Sequence, residues 1–120
     1  MLSKKPQKAI ELTDHNLSTS AVDETADAPT YSGGNKVLEG MNLKFTDSDS
    51  KTITLYIVDT VNGTEIQIFR AASNKNQNIV ENGFDGLIIP DKWLPKLTIS
   101  QTAAPSNTHV SGYVLVKNAD

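Results

Sequence analysis

The sequence predicts an all-β fold: a small antiparallel β-sandwich or barrel preceded by an extended N-terminal arm. Three observations carry that prediction. After Gly34 the apolar residues recur with period two in short runs, as they do in half-buried strands. Clusters of Gly, Asn, Asp, Ser and Pro separate the runs, and no stretch after Gly34 carries a helical stripe.

Residues 1–35 read as the arm and 36–120 as the β domain, with Gly33-Gly34 as the hinge between them. The first 35 residues hold one aromatic, Tyr31, among Ser, Thr, Asp, Glu and Ala. Such a segment buries too little apolar surface to offset an ordering cost of roughly 1–2 kcal/mol per residue, so order is expected to come from a partner surface. A short helix over 7–12 gains some support from Pro6, but Ile10 and Leu12 make no helical stripe.

In the domain, Leu43 and Phe45 alternate with Asn42 and Lys44 before the turn formers Thr46–Ser50. The next strand, 52–58, sets Ile53, Leu55 and Ile57 on one face. Asn62-Gly63 signals a two-residue type I′ hairpin into Thr64–Phe69, because both central positions of that turn need positive φ. A polar loop over 71–78 leads to a short strand at Ile79-Val80, then to Phe84–Ile89, stopped by Pro90-Asp91. Lys92–Pro95 bends so as to tuck Trp93 against the core, and Lys96–Ser100 and His109–Val116 alternate cleanly as closing strands.

Composition removes several kinds of function. With no cysteine, a disulfide scaffold, a thiol nucleophile and a cysteine-ligated zinc or iron–sulfur site are excluded. Eleven basic residues against fourteen acidic, net -3 with no basic run, disfavour phosphate-backbone binding, so no nucleic-acid partner is expected. The longest apolar runs, 55–58 and 87–89, fall far short of the about 20 residues of a membrane-spanning helix, and no membrane partner is expected.

The chemistry-bearing residues form no catalytic set. Asp47 and Asp49, with Asp59, resemble calcium-loop oxygens but lack the central Gly and closing Glu of the twelve-residue loop; turn formation accounts for them. His15 and His109 have no third strong ligand nearby, no Gly-x-Ser-x-Gly elbow occurs, and no metal or other cofactor is expected. Asp85 and Asp91 flank an apolar run beside Trp93. A sugar-binding surface built from Trp93 and the polar loops 73–78 and 101–108 is therefore the alternative function, against Trp93 as a core plug.

A polar arm, a cysteine-free β domain and the closing strand His109–Val116 together resemble the small virion proteins of tailed bacteriophages, of the capsid decoration, vertex or head-completion type. The resemblance is one of layout and carries no site residues across. It implies a non-enzymatic structural protein of the virion, assembled in the host cytoplasm, in several copies, with a major capsid protein or other virion proteins as partners. On that reading the arm contacts the shell through Lys4, Lys5, Ile10, Leu12, Leu17, Val22 and Tyr31. A β domain of about 85 residues buries only some 60–65% of its unfolded surface, so docking or oligomerisation is expected to add stability.

Overall fold

The computed structural model describes residues 7–17, 19–26, 34–46, 50–73, 78–81, 83–101 and 108–119. The strands in chain order are β1 (Gln7–Asn16), β2 (Val22–Thr25), β3 (Lys36–Phe45), β4 (Lys51–Asp59), β5 (Glu65–Ser73), β6 (Asn78–Glu81), β7 (Ile88–Ile89), β8 (Trp93–Gln101) and β9 (His109–Asn118). They form two antiparallel sheets. One has five strands, ordered β1-β9-β3-β6 with β7 also on β3; the other has four, ordered β2-β8-β4-β5.

That order follows from one long ribbon folded over on itself. The first four strands pair in turn with the later ones taken backwards: β1 with β9, β2 with β8, β3 with β6 and β7, β4 with β5. Rolling the ribbon sends successive pairs to opposite sheets, and β3·β9 and β4·β8 seal each sheet along its middle. This is the connectivity of a jelly roll, which realises the expected sandwich. The core lies between the sheets: Leu38, Met41, Leu43 and Phe45 of β3 and Val110, Val114 and Val116 of β9 face Ile53 and Leu55 of β4 and Leu97 and Ile99 of β8.

The expected arm over 1–35 is corrected by this topology. Residues 7–16 pair along β9 and 22–25 along β8, so the boundary at 35 divides strands of one sandwich. Ile10, Leu12, Leu17 and Val22 are 5%, 6%, 6% and 1% exposed in the common core. Averaged over 35 residues the composition is too polar to hold a shape, but a half-buried strand needs apolar residues only at alternate positions, and β9 supplies the rest. Strand pairing also replaces the weighed helix at 7–12. Gly34 does not swing freely: its N–H donates to Asp91 Oδ1 at 3.0 Å.

The hairpin at Asn62-Gly63 forms, but with a wider turn than the two-residue one expected. β4 ends at Asp59 and β5 starts at Glu65, and of the central pair only Gly63 has positive φ, +78°. The Asp59 side chain explains the difference. Its Oδ1 accepts the N–H groups of Val61 and Asn62 at 2.9 and 3.3 Å, and its Oδ2 accepts Asn62 Nδ2–H at 2.9 Å. Asn62 is thus held by its side chain in an Asx-type turn and need not enter the left-handed region. These bonds favour the carboxylate: the Asn62 amide foremost, with the Val61 N–H next, holds the Asp59 pKa below its ordinary 3.8.

A depressed carboxyl pKa stabilises the fold above the unfolded-state value, and that contribution is lost as pH falls through the folded-state value. Asp59→Asn is therefore expected to lower the melting temperature at pH 7 and to narrow its gap to the wild type as pH falls below about 4. Melting curves between pH 2.5 and 7 check this; a constant gap would exclude a role for the ionised form.

Pro95, expected in a bend, lies within β8. Its carbonyl accepts the Ala26 N–H at 3.1 Å, so its ring nitrogen faces the same side, past the last β2 pair, Thr25↔Lys96. The bond a proline cannot give thus falls at the end of the β2 pairing, and the ladder with β4 is kept.

Candidate interaction surfaces

The topology gives the sandwich two distinct ends. The strand ends leading into the β1–β2, β3–β4, β5–β6 and β8–β9 connections lie at one, and those leading into the β2–β3, β4–β5 and β7–β8 connections at the other. Trp93 starts β8 at the second end, half-buried against the core. Gln101 closes β8 at the first, where Lys51 pairs with both Gln101 and Ser73. The anchors of loops 73–78 and 101–108 are thus about 25 Å from Trp93, at 3.2–3.4 Å of rise per residue. The loop residues of the alternative sugar site, 74–77 and 102–107, lie outside the described residues; the strand ends that anchor them stand at the end opposite Trp93.

The other candidates fall as follows. Ile10, Leu12, Leu17 and Val22 serve the chain's own core and are not available to a partner. Lys4, Lys5, Tyr31, Asp47 and Asp49 lie outside the described residues. Asp59 is taken up by its turn. The two histidines have separate partners: His15 Nε2 lies 3.1 Å from the Ser20 carbonyl, and His109 Nδ1 lies 2.9 Å from Asp14 Oδ1. Among the described residues no three His, Asp or Glu side chains converge as a metal would need.

What the structure does offer is a contrast between its two lateral borders. On the β1/β2 border the exposed side chains are Lys8, Glu11, Thr13, Asp14, Asp23, Glu24 and Thr25. The ten-residue edge of β1 is broken by register shifts at 8/10 and 12/15, with Asp14 at φ +49° in the second. Asp14 N–H donates to Ser111 Oγ at 2.9 Å, which pins that bulge. Charge and bulges together blunt an edge against strand addition.

The opposite border, β5 with β6 and β7, carries exposed apolar side chains beside the polar Glu65, Gln67 and Arg70 of β5. Val80, Ile88 and Ile66 are 53%, 49% and 47% exposed. Behind them Ile68, Phe69, Ile79, Phe84 and Leu87 are only partly buried. Phe69 and Phe84 meet edge-to-face across the seam, 6.1 Å between centroids at 78°. The detour between β6 and β7 turns on Asp85 and Gly86, both with positive φ, and so aims Phe84 inward. Ile66 stands opposite the buried Ile57 and so shares its inward face, yet it projects past the cover of the facing sheet. Val80 and Ile88 lie beside Asn42 and Val37, on the outer face of the five-stranded sheet.

The outer face of the four-stranded sheet is polar and laid out in rows. Ser100 lies opposite Thr52; Asp23, Thr98, Thr54 and Arg70 form the next row; Thr25, Lys96, Tyr56 and Gln67 form the third. Lys96 Nζ spans the strands to Glu65 Oε2 at 2.8 Å and Asp23 Oδ1 at 3.4 Å, and lies 6.0 Å from the centroid of the Tyr56 ring. The Glu65 hydrogen bond above all, helped by Asp23, raises the Lys96 pKa and holds it as a cation. Lys36 shows the opposite case. Its Nζ donates to the Gly34 carbonyl at 3.3 Å, and burial pulls its pKa down, with Asp91 opposing.

Sequence reading missed Tyr56, Lys96, Val80 and Ile88. The alternation that puts Ile53, Leu55 and Ile57 inward already places Thr54 and Tyr56 outward. Nothing in the sequence alone marks β6 and β7 as the exposed border.

No protein-family model matches the chain, and no curated protein does. Among solved structures it is similar in fold to a chain in the structure of infectious bursal disease virus, Gx strain, with a TM-score of 0.53 and 18% identity over 97% of this chain and 33% of that one. The chain thus spans about a third of that neighbour's length, and at this identity the likeness is one of fold.

Proposed function

We propose that the chain is a non-enzymatic structural protein of a virion, one that adds to a shell as decoration, vertex or head-completion proteins of tailed bacteriophages do. Its partners on this reading are neighbouring copies and a major capsid protein. The fold likeness to a chain of a virus structure supports the setting. The observation that carries the contact is the lopsided sandwich: a charged, bulged border on one side and Val80, Ile88 and Ile66 exposed on the other. Exposed apolar groups along one border favour an interface there. The N-terminal segment contributes by completing both sheets, since its apolar residues are spent in the core.

Two measurements test this. Particles purified from the cells that make the protein should contain it in stoichiometric amount by mass spectrometry; its absence removes the virion role. Sedimentation of the purified chain should show an oligomer that Val80→Asp with Ile88→Asp reduces to monomer, at least a tenfold weakening by analogy with truncated interface anchors. A wild-type monomer, or an oligomer indifferent to the double change, excludes the β5/β6/β7 border as the contact between copies.

A further inference from the structure

We propose a second site: the outer face of the four-stranded sheet binds a neutral oligosaccharide, with Tyr56 as the stacking platform. The inference does not depend on the virion reading. Tyr56 sits in the middle of the polar field, flanked in its row by Lys96 and Gln67, with Thr54 and Arg70 in the next row. Over three strands and three rows the field measures about 10 Å by 13 Å.

Its chemistry selects the ligand. Asp23, Glu65, Lys96 and Arg70 sum to zero charge, so neither a polyanion nor a polycation is favoured. Ser100, Thr52, Thr98 and Gln67 supply both donors and acceptors, as a polyol requires, while Thr54 between them is buried. A half-buried tyrosine, with Lys96 Nζ over its ring at 6.0 Å, offers sugar C–H groups the apolar ring surface that stays exposed. Peptide strands add at sheet edges rather than on faces, and a lipid surface needs an apolar field.

The field is also held in place. Lys96 is tied at both sides by carboxylates, and its side chain is only 19% exposed. The threonines have stiff χ1 angles, so little freedom is lost on binding. Gln67 and Arg70 hold no side-chain hydrogen bond or ion pair among the described residues, which leaves their groups free for a ligand.

The probe is an immobilised panel of neutral gluco-, manno- and galacto-configured oligosaccharides of three to six units. Wild-type chain is expected to bind at least one series; Tyr56→Ala should weaken that binding about tenfold or more, and Trp93→Ala should leave it unchanged. Gln67→Ala, at an exposed position, serves if Tyr56→Ala fails to fold, with a loss of several-fold expected. Wild-type binding to no member of the panel, unchanged binding by both Tyr56→Ala and Gln67→Ala, or equal loss in Trp93→Ala would overturn the assignment.

Discussion

A chain lacking residues 1–16 is expected to lose its cooperative fold and to aggregate. The deletion removes all of β1, and with it the burial of Ile10 and Leu12. At about 1.5–3 kcal/mol for each fully buried side chain, the two contribute a large share of the roughly 5–15 kcal/mol by which a domain is stable. The deletion also bares one side of β9 along its whole length, an edge without the bulges and charges that protect β1. Circular dichroism, thermal melting and light scattering of the truncated chain measure this. A soluble monomer that melts cooperatively would restore the detachable arm suggested by composition.

Gly112→Ala is expected to be nearly as damaging, at about 3–5 kcal/mol, in the range reserved for side chains forced into packed backbone. Gly112 lies in β9 between Leu12 of β1 and Leu43 of β3. Its φ is +157°, and a Cβ there would collide with the Asn42 carbonyl oxygen and stand 2.9 Å from Leu43 Cα. Those atoms belong to the neighbouring strand and cannot swing aside as a flexible side chain can. Denaturant unfolding of the single variant is the measurement. A loss below about 1 kcal/mol, the ordinary effect of a point substitution, would mean that the five-stranded sheet relaxes at its centre.

These two cases show where the sequence is and is not legible. The longer strands β4, β8 and β9 announce themselves through alternation, as Ile53, Leu55 and Ile57 do, because one face turns to the core and the other away from it. β1 carries the same alternation in Ile10 and Leu12, but its signal was outweighed by the polar composition around it. Whether such a strand stays ordered depends on β9, about a hundred residues away, and no local pattern encodes that pairing. The hairpin was legible in position and not in turn type, since Asn62 serves Asp59 with its side chain instead of using the αL conformation that Asn tolerates. The candidate surfaces were the least legible. Tyr56 gains its neighbours only once β8 and β5 are set on either side of it, and Trp93 is parted from the strand ends that anchor the polar loops only once the direction of β8 is known.

The pairing of the first strand with the last also governs how the molecule is made. Emerging from the ribosome, β1 has no mate until β9 is made about a hundred residues later, and β2 waits nearly as long for β8. Closure of such distant loops precedes any reward from their contacts, so refolding is expected to run in the slow range of β-rich domains, milliseconds to seconds. During synthesis Ile10, Leu12 and Val22 stay wet, and a nascent chain that stalls before β8 is open to capture by chaperones or by its own kind.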